Sequence, residues 1–480
     1  MSVLIIGAGP TGLTLACDLA RRGVECRVVD KDVRLFVGSR AKGLQPRTLE
    51  VFDDLGVIDA IKAGGAPFPP FRLYSGAEIQ WERSLEEMLR VPQLPASPGV
   101  PYRRPWLIPQ WRTDRILHDR FVALGGRVDM GTELTGLTQD ADGVTAALVC
   151  NGASESVRTR YLIGADGGRS FVRNASGVRF EGETYETERT LIGDVRVSGL
   201  EGRACHILAD AGDVTQRFSL WNLPDSNYYQ FVANVSADAI PDFTLTEIQA
   251  LLDRRSGRTD IRLHDLRWIS LYRVNVRMAD HFRIGRIFLA GDAAHVHSSA
   301  GGQGLNTSVQ DAYNLGWKLA AVLDGARSAL LDSYEEERLP VAAQLLGLTT
   351  KLHKGNFRPA NSPTPGIHQL DISYRGRSLA VDDRSNPGEL RAGDRAPDAP
   401  VSDGIRLFDV LRGPHFTLLA FGGATVSSDV RLRVLRVGTL KGYDVRDGDF
   451  VLVRPDGYIA AITSSLETIH RVMSNFFCVR

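Results

Sequence analysis

The chain has few cysteines, no long apolar run and no excess charge of either sign. Its five cysteines, Cys17, Cys26, Cys150, Cys205 and Cys478, are scattered over 480 residues with no CxxC pair. That spacing excludes a disulfide framework and a zinc knuckle, and it fits a reducing cytoplasm. No uninterrupted apolar stretch approaches the ~20 residues of a membrane span. The opening MSVLIIGAGP lacks a basic flank and is cut short by Gly7, Gly9 and Pro10, which makes it a poor signal peptide. Lys plus Arg and Asp plus Glu both number 57, so nothing marks a nucleic-acid or acidic-membrane partner. What remains is ordinary globular composition, 43% hydrophobic and 24% charged, with length for about three domains.

The first 30 residues form a complete dinucleotide signature. Val3 to Ile6 is a buried-strand pattern, Gly7-Ala8-Gly9-Pro10-Thr11-Gly12 is a glycine turn, and Leu13, Leu15, Ala16 and Leu19 line one face of a helix. A second strand pattern, Cys26 to Val29, ends in Asp30. Gly7 permits the tight turn, Gly9 lets a pyrophosphate approach the backbone, and Gly12 allows close helix packing. The helix N-terminus offers free N–H groups and the positive end of its dipole. Asp30 can accept a ribose hydroxyl. On these residues alone the nucleotide could be NAD or FAD.

Further along, Arg40 stands just ahead of a helical pattern and can face phosphates. Gln110 immediately precedes a helix expected over 111 to 124, with Thr113 as its N-cap. Residues 127 to 163 read as hairpins turning at Asp142-Gly143 and Asn151-Gly152. Tyr161 to Gly164 is a short strand running into Ala165-Asp166-Gly167-Gly168, a turn with one carboxylate. Alternating runs between 185 and 275 predict a mixed or antiparallel sheet, whose Trp221, Tyr229 and Phe231 are candidates to wall an apolar pocket. Arg286 to Ala290 is another buried strand, and it ends at Gly291-Asp292. The loop that follows, AHVHSSAGGQGLN, precedes a helical stripe from Leu305 to Val322. His295 and His297 are two apart on this loop with no third ligand nearby, so hydrogen bonding or packing fits them better than a metal.

Taken together and in this order, GAGPTG with Asp30, GADGGRS and GDAAHVHSSAGGQGLN resemble the motifs of the group A FAD-dependent aromatic monooxygenases, the para-hydroxybenzoate hydroxylase class. The likeness runs over about residues 2 to 350, and within the class it is nearest the polyketide and phenol hydroxylases, including rifampicin monooxygenases. The resemblance implies that Gly7, Gly9, Pro10, Thr11, Gly12, Asp30 and Lys31 hold the ADP half of FAD. Arg40 and Gln110 would contact the FAD backbone, and Asp166 would serve both FAD and NAD(P)H. Gly291 and Asp292 would bind the ribityl region, with Gly302, Gly304, Leu305 and Asn306 beside the isoalloxazine. Backbone N–H groups at Leu305 and Asn306 would there stabilise negative charge on the reduced ring. Where the class commonly has proline before AGG, this chain has Ser298 and Ser299.

The implied activity is hydroxylation of an aromatic polyketide or related phenolic natural product with NADPH or NADH and O2, through a flavin C4a-hydroperoxide. No side chain is assigned as a catalytic residue, because the flavin carries the chemistry. Baeyer–Villiger oxygenation of a polyketide ketone is the alternative. A flavin-dependent halogenase, faintly echoed in PWLIPQW, and a non-catalytic FAD-binding interaction protein are rivals from other classes.

The expected fold is α/β. A discontinuous Rossmann-like FAD-binding domain (1–175 and 276–355) would carry an inserted mixed or antiparallel substrate sheet (176–275, with help from 67–109). A Pro- and Gly-rich linker (356–400) would then lead to a domain at 401–480 similar to the thioredoxin-like tail of the polyketide-hydroxylase branch. Without a CxxC, that tail fits packing or homodimerisation better than redox work.

Overall fold

The computed structural model describes every residue except 90–93, 95–96, 210–215, 236–243, 299, 355–365, 423–430 and 477–480. Its first layer is a six-stranded sheet in the order Arg283–Ile284, Ile287–Leu289, Tyr161–Gly164, Val3–Ile6, Cys26–Asp30, Val128–Met130. All neighbours but the first pair are parallel. Val3–Ile6 lies fully inside the core, as an all-apolar VLII run must when both faces of a parallel sheet are covered. The Pro10–Arg21 and Gly304–Leu323 helices pack against one another, and Leu134, Val144, Ala146 and Leu148 of a three-stranded antiparallel sheet join the same core.

The strand ahead of Gly291 stands one place removed from the first βαβ unit. Tyr161–Gly164 pairs with Val3–Ile6 on one side and Ile287–Leu289 on the other. The three strands that end in the three motif loops are therefore adjacent and parallel, and all three loops leave the same, carboxyl edge of the sheet, which is where open α/β sheets bind ligands.

The second layer is an eight-stranded sheet built mainly from Phe180–Ser198, Cys205–Leu208, Phe218–Asn222, Tyr228–Val235 and Arg262–Ala279, with Phe71–Ser75 and Glu78–Arg83 at one edge. The Leu245–Ser256 helix covers one face, where Ile248 and Leu252 meet Phe218, Leu220 and Phe231. The tail carries a third sheet with Leu432–Val437, Phe416–Phe421, Phe450–Val453 and Ile459–Thr463 side by side, followed by the Leu466–Phe476 helix.

Two local expectations change. The Gln110–Ala123 helix starts earlier than its apolar pattern, with Pro109 as its N-cap residue and Thr113 buried inside it. Residues 366–399 do not behave as a passive linker, because Ile367, Gln369, Tyr374 and Asp398 are all buried. Val381–Asp382 also adds a short strand to the tail sheet. Its polar, Pro- and Gly-rich composition hides the fact that a few of its side chains find buried partners elsewhere.

Candidate cofactor and substrate site

The first loop is held by close approach of backbone to backbone. Gly7 has φ +107°, and a Cβ there would sit 2.3 Å from the Ala165 carbonyl oxygen. A Cβ on Gly12 would sit 2.0 Å from the Gly7 oxygen, whereas one on Gly9 would meet nothing within 4 Å. Gly9 thus faces open space at the N-terminus of a 12-residue helix that no side chain caps, leaving its first N–H groups available to a phosphate. Asp30 orients across this loop: its Oδ2 accepts from Ala8 N (2.7 Å) and its Oδ1 from Asp32 N (2.9 Å). Two single bonds leave lone pairs on both oxygens for a diol. Lys31 is exposed beside it.

The Gly291 loop closes over the same edge. A Cβ on Gly291, at φ +62°, would collide with Thr11 Oγ1 at 2.5 Å and Ser308 at 2.9 Å, so the first and third loops are in contact. Asp292 keeps solvent access as a residue while its carboxyl group stands in a recess crowded by protein. Burial in that recess raises its pKa, while His295 and Arg40 oppose the rise. Arg40 thus lies within electrostatic reach of Asp292. Its own guanidinium lies over Phe36 (5.3 Å) and Trp268 (5.9 Å).

Asp166 and Gln110 are more occupied than a purely ligand-binding role requires. Asp166 accepts from Ser170 Oγ (2.6 Å) and Val172 N (3.1 Å), anchoring the helical turn that follows. Burial nevertheless raises its pKa. Arg173, in that turn, donates to Gly168 O (3.0 Å) and Ala293 O (2.9 Å), tying the second loop to the third. Gln110 Oε1 accepts from Ala41 N (3.2 Å) and its Nε2 donates to Asp114 (3.4 Å), which fixes the loop carrying Arg40.

Downstream, Gly302 is exposed, and a Cβ added to it would meet nothing within 4 Å. Leu305 is half-buried at the first turn of the uncapped Gly304–Leu323 helix. Asn306 is buried, and its amide donates to Gly43 O (2.9 Å) and Gly302 O (2.8 Å) while accepting from Gln45 N (2.7 Å). Its side chain is thus spent on shaping the loop, which leaves the backbone to meet a ligand. His295 Nε2 meets Asp311 at 2.7 Å, and His297 Nδ1 donates to Ser298 O at 2.7 Å. Burial pushes the His297 pKa down to about 4, so it is neutral at pH 7. Among the described residues no three His, Cys, Asp or Glu side chains gather as a metal site. Ser298 is buried, and Ser299 lies outside the described residues.

The pocket wall expected from Trp221, Tyr229 and Phe231 divides between two faces. Phe231 stacks on Phe218 at 5.7 Å under the Leu245–Ser256 helix, and Tyr229 leans on that same cluster. Side chains alternate along a strand, so Gln230, between them, faces the other way together with its cross-strand neighbour Trp221, toward Ser39 and Lys42. A cavity of about 350 Å³ opens nearby, lined in part by Phe68, Pro70, Arg83, Glu86 and Arg104. Phe68 packs edge-on to Trp221 at 6.3 Å.

An open glycine edge, an acid with free lone pairs at one end, a carboxylate within electrostatic reach of an arginine at the other and two uncapped helix N-termini together suit FAD. Residues 1–349 match the FAD binding domain family and residues 389–477 match the aromatic-ring hydroxylase C-terminal family. The chain belongs to the FAD-dependent aromatic-ring hydroxylases. It is 62% identical to a flavin-dependent monooxygenase of Mycobacteroides abscessus, over 98% of both chains. A rifampicin monooxygenase of Streptomyces venezuelae is 37% identical over 95% of this chain and 94% of that one. Among solved structures, aklavinone-11 hydroxylase with FAD and aklavinone superposes with a TM-score of 0.83 at 27% identity, covering 99% and 98% of the two chains. As in that family, the enzyme is a flavin-dependent monooxygenase with FAD as its cofactor. No helix among the described residues is long and apolar enough to cross a membrane.

The family signal was local enough to read. Arg173, Asp311, Lys42 and Gln230 carry no such local signal, because the contacts that matter reach far along the chain, Arg173 to Ala293 across 120 positions, Asp311 to Arg338 across 27 and Lys42 to Gln230 across 188.

Proposed function

We propose that the protein hydroxylates an aromatic polyketide or related phenolic natural product, using NADPH or NADH and O2, with FAD lying along the edge where the three motif loops meet. The observation that carries this reading is the convergence of the Gly7–Gly12, Asp166–Gly168 and Gly291 loops at the ends of three adjacent parallel strands, beside the loop whose Arg40 and Lys42 lie over Trp268 and Trp221 of the second sheet. FAD, when bound, supplies hydride acceptance, reaction with O2 and transfer of one oxygen atom. The chain binds and orients. Asp30 takes the adenosine ribose, the first helix N-terminus the pyrophosphate, Asp292 the ribityl hydroxyls, and the Leu305 and Asn306 backbone N–H groups the ring oxygen end. Trp221 and Phe68 wall the substrate side and exclude water from it.

In this reading 1–175 with 276–355 form the FAD-binding unit and 176–275 the substrate sheet. The tail beyond 400 is a thioredoxin-like packing domain that also suits a homodimer, and the protein works in the cytoplasm.

Asp292→Ala is expected to purify depleted in FAD, read from the ratio of flavin to protein absorbance. A variant with full flavin content contradicts the role of Asp292. For the activity, phenols, naphthoquinones and polyketide aglycones are screened for stimulation of NADPH oxidation, with mass spectrometry of products. A gain of one oxygen with the ring system intact is the expected result. Flavin-loaded protein that oxidises neither NADPH nor NADH with any of them removes the reading.

A further inference from the structure

One cross-strand row of the eight-stranded sheet places Trp268, Asp194, Gln230, Trp221, Cys205 and Phe71 side by side, each paired with the next. All six share the face turned to the cofactor domain. Lys42 reaches down onto this row from the loop that carries Arg40. Its Nζ donates to Gln230 Oε1 and lies 4.2 Å from the centre of the Trp221 ring. Gln230 is held in turn, because its Nε2 donates to the Ser39 carbonyl oxygen and approaches Ser39 Oγ at 3.1 Å. Ser39 Oγ donates to Asp194 Oδ1, and Asp194 Oδ2 is buried with no hydrogen-bond partner among the described residues.

Polar groups this deep are kept only where they are satisfied or used. Here four of them run in a chain, Asp194, Ser39, Gln230, Lys42, and the chain ends on an amine with hydrogens to spare. Gln230 is its only acceptor among the described residues, and a lysine amine carries more than one hydrogen.

The position of that amine gives it a task. Gly43, the next residue, accepts from Asn306, and the Lys42 carbonyl accepts from Ile108 N (2.9 Å). Lys42 is thereby stitched to the Gly301–Asn306 loop on one side and laid over the sheet row on the other. That seam lies between the Gly302 turn and the sheet face that carries Trp221.

We propose that Lys42 receives the ionisable hydroxyl of the substrate's aromatic ring, taking its proton and holding the oxygen as a phenolate. The inference rests on the hydroxylase reading above and names the group that serves it. The proton balance is simple: the O–H bond breaks, an N–H bond forms on Nζ, and an ammonium faces a phenolate with no electrons lost or gained. Ionisation enriches the carbons ortho and para to the oxygen, which an electrophilic oxygen transfer requires.

Burial pushes the Lys42 pKa down to about 8, so a useful fraction of the amine is neutral near pH 7. Asp194 and Cys205 are the titratable groups facing it. Burial pushes Asp194 up to about 6 and keeps the Cys205 thiol protonated, while Arg267 bears on Asp194 from the neighbouring strand. Gln230, Ser39 and Asp194 are positioning residues that fix the amine.

The test uses holoenzyme and quinizarin, a dihydroxyanthraquinone that is orange when neutral and violet when ionised. Wild-type protein is expected to bind it violet at a pH where the free dye is orange. Lys42→Met is expected to keep its FAD and bind the dye orange. Product formed per NADPH oxidised should fall by about tenfold or more with ordinary phenols, and much less with fluorinated phenols that ionise unaided. A wild-type complex that stays orange, or a Lys42→Met complex as violet and as well coupled as wild type, overturns the proposal. Should Lys42→Met fail to hold FAD, Gln230→Leu carries the same comparison: loss of the violet form supports the proposal and full retention overturns it. Failure of the hydroxylase reading looks different, since wild-type holoenzyme would then oxidise no NADPH with any phenol in the panel.

Discussion

The two glycine-rich loops, Gly7–Gly12 and Gly291–Asn306, each join a parallel strand to a helix, yet they are held in opposite ways. The first is shaped by what it lacks. Its turn closes because Gly7 and Gly12 have no Cβ, and the nearest obstructing atoms belong to backbone, the Ala165 and Gly7 carbonyls. The second is shaped by buried polar side chains brought from elsewhere. Asp311 accepts from Gly291 N (3.1 Å), His295 Nε2 (2.7 Å) and Arg338 Nε (2.7 Å). Arg338 passes the link on to Thr307 O (3.2 Å) and the Tyr374 hydroxyl (3.0 Å). A loop held by backbone contact is rigid and intolerant of added atoms. A loop held by a charge network can keep its shape only while each buried partner is present, and it takes orders from residues far along the chain.

The largest effect is expected where the first loop's logic is broken. Valine at Gly12 would place carbon 2.0 Å from a carbonyl oxygen that cannot retreat without opening the Gly7 turn. Gly12→Val should drop flavin per chain to below about a tenth of wild type, because the helix N-terminus is no longer presented to the pyrophosphate. The ratio of flavin to protein absorbance after purification checks it, and a yellow variant with normal flavin content would mean that the close approach is not what shapes this loop.

The same contrast explains what could be read from the sequence. Strand, glycine turn, helix and Asp30 fall within thirty residues, so spacing alone displayed their geometry. The sheet strands were also legible from alternation, but alternation leaves open which set faces which way, and a slip of one residue exchanges the faces. That is why Phe231 looked as suitable for the pocket as Trp221. Lys42 meets Gln230 across 188 positions and Ser39 meets Asp194 across 155, distances over which no local pattern carries information. Residues 366–399 misled for a related reason. Their composition is that of a linker, and only the fold shows Gln369 and Tyr374 entering the core.

A charge removed from the second loop should weaken it by less than the valine damages the first, and in a way that depends on pH. Asp311→Ala leaves Arg338 and His295 buried without their carboxylate, a change that costs about 3–5 kcal/mol of stability. Burial alone would raise the Asp311 pKa, but Arg338 and His295 outweigh it and hold the carboxyl below its ordinary value. A depressed folded pKa means that the stabilisation is complete above the unfolded carboxylate value, about 4, and is lost as pH falls through the folded one. Urea unfolding of both proteins should therefore differ fully at pH 7 and converge only in acid below that range. A difference that vanished between pH 7 and pH 5 would locate the stabilising charge elsewhere.

The smallest effect comes from the most remote member of the second loop's support. Gln369 Nε2 donates to Gln303 Oε1 (2.7 Å) and Thr307 Oγ1 (3.0 Å), while its Oε1 accepts from Gln310 Nε2 (2.6 Å). Gln303 then reaches Gly301 O at 2.8 Å, so an amide from the supposed linker braces the turn beside Gly302. Gln369→Ala leaves these amides partly unpaired in the core and should lower stability by about 1–3 kcal/mol. Gln369 holds this pose at φ +59°, a left-handed conformation that alanine tolerates no better than glutamine and that glycine adopts freely. Gln369→Gly should therefore be destabilised no more than Gln369→Ala, although glycine usually weakens a chain, and both should release FAD faster than wild type. Unfolding midpoints together with FAD dissociation rates decide the matter. If stability falls while FAD release is unchanged, the amide cluster supports the tail and not the loop.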